Sequence, residues 1–197
     1  PGEAWQVDAV VACAAKLRGL ADTLLVLGIG GSALGARALQ DALADDFNGV
    51  GGPRLVILDT LDPRRVMGCL ASLDSSRTAL AAISKSGGTL ETISLFKLIQ
   101  DWLSERQPAD WRERVVLVTD PEKGAFRELA KSEGLASLPV PSDVGGRFSV
   151  LTAVGLLPAA FLGFPPGDFL AGARASGRLA EAASDPAWDY ALVHHLW

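Results

Sequence analysis

A chain of 197 residues is long enough to bury a full core, in one domain or one and a half. Hydrophobic residues make up 49% of it and charged residues 21%, which excludes a disordered chain, and a net charge of −5 excludes a general basic field for nucleic acid or an anionic membrane. Any anion must be held by local geometry.

The periodicity predicts a lead-in helix over residues 1–21, with Val7, Val10, Val11, Ala14 and Leu17 as its apolar stripe. A first strand, Leu24 to Leu27, runs into the glycine-rich turn Gly28-Ile29-Gly30-Gly31-Ser32 and a helix through Leu43. A helix-to-strand connection containing Asn48-Gly49 leads to a second strand, Arg54 to Leu58, which ends at Asp59. Pro63, a good first-turn residue, opens the next helix. The run Thr78 to Ile83 is a third strand, followed by Ser84-Lys85-Ser86-Gly87-Gly88-Thr89 and a helix marked by Ile93, Phe96, Ile99 and Leu103. Arg114 to Val118 is a fourth strand, and Thr119-Asp120-Pro121 turns into a helix through Ser132. Pro139 sends the fifth strand, Ala136 to Val140, to a sheet edge. Asp143-Val144-Gly145-Gly146-Arg147-Phe148-Ser149 and a helical tail over 166–197 complete the chain. The longest apolar run, Val150 to Phe164, is broken by Gly155, Pro158 and Gly163 and falls short of the ~20 residues of a membrane span. No signal peptide opens the sequence, so a cytoplasmic protein is expected. Cys13 and Cys69 read as small core residues, and His194-His195, the only histidines, make no metal site, so neither metal nor cofactor is expected.

Strands that are apolar on both faces and alternate with helices predict a three-layer α/β sandwich around a five-stranded parallel sheet of order 2-1-3-4-5, flavodoxin-like, with helical extensions at both ends. Strands 1 and 3 then lie side by side and their chains depart in opposite directions, which opens a crevice at their carboxyl ends. Both glycine-rich turns reach that crevice.

The turn after strand 3 combines the hydroxyls of Ser84, Ser86 and Thr89, the charge of Lys85 and a helix N-terminus, which suits a phosphate. An ordinary capped turn would use the same residue types. Gly28-x-Gly30-x-x-Ala33 with Asp59 also fits a relaxed dinucleotide fingerprint, although a dinucleotide gives no reason for the second turn. Arg147, between glycines and Phe148-Ser149, is either a ligand-binding guanidinium or a structural partner of Asp143.

Taken together, Gly28-Ile29-Gly30-Gly31-Ser32-x-Leu34-Gly35, Ser84-Lys85-Ser86-Gly87-Gly88-Thr89-x-Glu91-Thr92 and Val144-Gly145-Gly146-Arg147-Phe148-Ser149 resemble the phosphoglucose isomerase family in its bacterial form. The middle stretch alone marks the wider sugar-isomerase (SIS) superfamily. The resemblance covers at least residues 22–165, which it implies are an N-terminal sugar-isomerase domain. It implies an enzyme of glycolysis and gluconeogenesis that interconverts glucose 6-phosphate and fructose 6-phosphate through an enediolate. The phosphate loop would fall on Ser84, Lys85, Ser86 and Thr89, with Ser32 from the first turn. Gly31 and Gly146 would line the sugar, and Arg147 would stabilise charge near C1 and C2. Hexose 6-phosphate is the implied partner, with a homodimer for the full-length protein and no nucleic acid or membrane.

Other readings are a stand-alone sugar-phosphate module, an aminosugar-phosphate isomerase and a dinucleotide-binding domain. Family members are far longer, and their glutamate base, ring-opening histidine and C-terminal lysine find no counterpart here. The chain alone is therefore expected to be inactive, its tail leading to an absent second domain. Phe161, Phe164, Trp188 and Trp197 are expected to include side chains meant for that domain. Glu91 reads as a helix-start carboxylate rather than a base.

Overall fold

The computed structural model describes residues 4–43, 52–180 and 186–197; the connection with Asn48-Gly49 lies outside the described residues. Helix α1 (Ala4–Leu20) leads into β1 (Thr23–Leu27), followed by α2 (Gly31–Leu43), β2 (Arg54–Leu58), α3 (Pro63–Ser72), β3 (Thr78–Ile83) and α4 (Leu90–Arg106). Then come β4 (Val115–Thr119), α5 (Ala125–Glu133), β5 (Ala136–Pro139), a 3-10 turn (Gly146–Leu151), α6 (Ala153–Leu162), α7 (Pro166–Ala180) and α8 (Pro186–Leu196). The sheet is parallel throughout in the order β2-β1-β3-β4-β5, as the strand pattern predicts.

Alternation along each strand divides the core in two. Leu24 and Val26 of β1 join Ala79, Ala81, Val116 and Val118 beneath α1 and α6, while Leu25 and Leu27 join Leu80, Ala82 and Leu117 beneath α3, α4 and α5. Every residue of β1, β3 and β4 is buried, which is why these strands carry no polar face. Each fully buried leucine contributes about 1.5–3 kcal/mol relative to an exposed one, as an upper estimate. Val10, Ala14 and Leu17 bury the expected stripe of α1 in the first core, whereas Val11 stays exposed. Phe161, one of the four aromatics named as candidates for packing on another domain, is fully buried in that same core, because it lies on the inner face of α6. Trp188 and Trp197 are exposed.

Strand β4 begins at Val115, one residue after the expected start at Arg114. Arg114 belongs to a 3-10 turn (Trp111–Arg114) and turns its guanidinium beneath the sheet, donating to the carbonyls of Leu20 and Ser76 at 2.9 Å each. In register, Leu27 of β1 stands beside Ala82 of β3, so the chains leaving these two strands emerge together at the carboxyl edge.

Candidate functional site

Ser84 follows β3 directly and is held there by its N–H, which donates to the Val118 carbonyl of β4 (3.0 Å). Its hydroxyl is buried and lies 3.2 Å from the Thr89 hydroxyl, which the Ser86 hydroxyl approaches at 3.5 Å. Thr89 occupies the N-cap of α4 but makes no side-chain capping bond. Contrast α3, whose N-cap Asp62 accepts the Arg65 N–H at 2.9 Å. The first-turn N–H groups of α4 therefore keep their donors and the positive end of the helix dipole for an external anion, beneath three hydroxyls. Gly87 makes the bend possible: its φ is +62°, and an added Cβ would stand 3.1 Å from both the Thr119 hydroxyl and the Phe126 N–H.

The turn after β1 lies alongside. The Gly30 carbonyl accepts from Ala33 and Leu34 (2.9 Å each), starting α2, and the half-buried Ser32 hydroxyl has no partner among the described residues. Gly31 meets the third motif: any Cβ there would collide with the carbonyl of Gly146. The first turn and the Arg147 loop are thus in direct contact through two glycines, which periodicity could not foresee. The Gly146–Arg147 peptide thus packs against Gly31, the first residue of α2. Asp59, the candidate ribose acid, instead accepts a 2.9 Å bond from Arg37 of α2.

Arg147 sits on an exposed stretch at the start of the 3-10 turn, which is closed by the Ser149 hydroxyl donating to the Gly146 carbonyl (2.6 Å). The alternative pairing with Asp143 is not formed, and the guanidinium has no hydrogen-bond or ion-pair partner among the described residues. Lys85 donates to the Ser142 carbonyl, on the loop that leads to Arg147 (2.8 Å). Its own carbonyl accepts the Asp120 N–H (3.1 Å).

Asp120, just after β4, braces this turn through that N–H. Its carboxylate accepts from the N–H groups of Glu122 and Lys123 (2.9 and 3.1 Å). Those bonds hold the carboxyl below the ordinary aspartate range, and the charges of Lys123 and Lys85 add to the effect. The Asp120-Pro121 pair was the available signal, since Asp commonly bonds the backbone two residues on. Behind the turn, the hydroxyls of Thr92 and Thr119 are buried without a partner. Glu91 stands exposed in the first turn of α4, where its charge suits the dipole. His194, in α8, bonds the Tyr190 hydroxyl (2.9 Å). An open groove of about 530 Å³, lined by Leu151, Phe164, Phe169 and Ala173, offers an anion only the carboxylate of Asp168.

A family model described as phosphoglucose isomerase matches residues 14–185. A glucose-6-phosphate isomerase of Symbiobacterium thermophilum is 42% identical over 181 residues, which are 88% of this chain and 40% of that protein. Among solved structures, a hypothetical protein from Thermus thermophilus superposes with a TM-score of 0.86 at 38% identity, over 96% of this chain and 45% of that one. A glucose-6-phosphate isomerase from Chlamydia trachomatis superposes with a TM-score of 0.66 at 26% identity, over 82% and 31%. The chain spans about two-fifths of the length of the curated relatives it matches.

Proposed function

The chain belongs to the phosphoglucose isomerase family, and on that premise we propose that it is the N-terminal sugar-isomerase domain of an enzyme interconverting glucose 6-phosphate and fructose 6-phosphate. The observation that carries the reading is the N-terminus of α4, without a side-chain cap, beside the hydroxyls of Ser84, Ser86 and Thr89, with Arg147, which has no partner among the described residues, on the loop that meets Gly31. In this reading the 6-phosphate rests on those hydroxyls and the α4 N–H groups, with Lys85 beside it and Ser32 contributing from the turn after β1. Gly31 and Gly146 line the sugar.

Remote phosphate binding then holds the open-chain sugar in register, and its binding energy is used at the reacting carbons. Isomerisation moves a proton between C2 and C1 through an enediolate. The planar, permanently charged guanidinium of Arg147 stabilises the oxygen that gains negative charge. A group that takes the C2 proton is supplied, in the same reading, by the part of a family-length protein outside these residues. A cytoplasmic homodimer of the full-length enzyme, working in sugar-phosphate metabolism, completes the proposal.

Calorimetric titration with fructose 6-phosphate and with NAD tests the substrate class: the sugar phosphate is expected to bind and NAD is not. Saturable NAD binding that depends on Asp59 would overturn the reading. A coupled isomerase assay on the chain alone is expected to stay at background. Turnover near an ordinary enzyme's roughly 10 s⁻¹ would place a base within these residues, with Glu91 the first to replace.

A further inference from the structure

Residues 141–145, which carry the chain from β5 to the Arg147 turn, receive one non-local hydrogen bond among the described residues. It comes from Lys85 Nζ to the Ser142 carbonyl oxygen, at 2.8 Å. Their remaining bonds are local, from Val144 N–H to the Pro141 carbonyl and from Phe148 N–H to the Gly145 carbonyl (3.1 and 2.9 Å). The other anchors of the loop, the Gly31 contact and the Ser149 bond, both act on Gly146. Lys85 therefore holds the entry side of the loop. Its own backbone is clamped in turn, because its carbonyl accepts from Asp120 at the end of β4.

Lys85 also stands inside the hydroxyl-rich turn, between Ser84 and Ser86. An ammonium has three N–H donors, and Ser142 takes one of them. The other two have no partner among the described residues. We propose that Lys85 is a positioning residue that couples the two halves of the site. Its ammonium tethers the Ser142 end of the Arg147 loop, and a phosphate in the Ser84–Thr89 turn engages the remaining donors, so that filling the turn stiffens the loop carrying the guanidinium. A lysine serving the phosphate alone would have no reason to bond a carbonyl of another loop. Charge-assisted bonds to the anion fix a side chain that is otherwise free to rotate, and the loop gains the benefit of that ordering. The coupling rests on the sugar-phosphate reading above; the tether does not.

Amide hydrogen exchange across residues 141–151 tests both parts in this chain, with inorganic phosphate as the probe. Without ligand, Lys85→Met is expected to speed exchange at 143–149 about fivefold, as for one partly exposed hydrogen bond from a charged donor. Lys85→Arg, which keeps a charged donor at similar reach, is expected to restore most of the protection. Unchanged exchange in Lys85→Met overturns the tether. With saturating phosphate, the loop is expected to gain protection in the parent but not in Lys85→Met, although calorimetry still finds phosphate bound to that variant. Equal gains in both proteins overturn the coupling. If the parent binds no phosphate, the sugar-phosphate reading and the coupling fail together, and the ligand-free comparison still decides the tether. Circular dichroism checks that each variant is folded, and Lys85→Gln stands in should Lys85→Met fail to fold.

Discussion

At the amino edge of the sheet, Arg114 donates to two carbonyls and to Asp110 and is almost fully buried, whereas at the carboxyl edge Arg147 stands exposed with no partner among the described residues. The contrast extends to the neighbours. Before β1 and β3, Arg77 pairs with Asp22, and Arg54 donates to the Thr23 hydroxyl (3.0 Å). After the same strands come glycines, converging hydroxyls and an uncapped helix. The same residue type thus serves opposite ends, and its partners decide the role. A guanidinium held by several acceptors of the protein stiffens the fold. One left open can act only on something that arrives, and the fold leaves it open at the edge where a doubly wound sheet binds ligands.

The sharpest way to break this comparison is to exchange Arg147 for Lys in a full-length enzyme. Charge is kept and the planar fork is lost. Turnover is expected to fall roughly 10²-fold, with the Michaelis constant and melting temperature almost unchanged, as for a contact made mainly in the transition state. A variant with normal turnover and only a raised Michaelis constant would reduce Arg147 to a binding residue. The matching change at the other edge, Arg114→Met, is expected to remove about 2–3 kcal/mol of stability by orphaning buried carbonyls and Asp110. That corresponds to a melting temperature lower by roughly 5–10 °C. Phosphate affinity, measured by calorimetry below the transition, should stay at the parental value. Weakened binding there would show that the two edges are coupled rather than separate.

A smaller effect sharpens the carboxyl edge itself. Ser84→Ala combined with Thr89→Ala should weaken phosphate binding by about 1 kcal/mol or more for each lost bond to charge. Equal affinities in mutant and parent would move the anion elsewhere. The smallest effect is a pH dependence. The Arg77 hydrogen bond holds the Asp22 carboxyl below its ordinary value of 3.8. A depressed folded-state pKa contributes stability above the ordinary value, and that contribution is lost as pH falls through the folded one. Melting temperatures should therefore decline below about pH 4, and Asp22→Asn should flatten part of that decline. Asp74, held low by the Ser76 hydroxyl and N–H, and Asp120, held low by two accepted N–H bonds, keep the rest of it.

Much of this was legible in the residues alone. Strand order, the two faces of the core and the hydroxyl- and glycine-rich turn after β3 follow from apolar runs, helical spacing and the clustering of hydroxyls with glycines, because each is a local pattern in the sequence. The residue-level resemblance located Gly31, Gly146 and Arg147 as one group, and the fold brings them together. What the tertiary structure alone decided is how separated residues share partners. Nothing in its own turn gives the Lys85 side chain a partner on another loop, and only the placement of the β5 loop gives it Ser142. Arg147 could have paired with Asp143, four residues away, and the 3-10 turn leaves it unpaired. Asp59 could have met a ligand, but Arg37 on α2 reaches it first. Of the aromatics named as candidates for another domain, Phe161 is core, because the rotation of α6 points it at the sheet. Hydrophobic periodicity encodes which face is buried. It does not encode which of several polar partners, tens of residues apart, a long charged side chain will find.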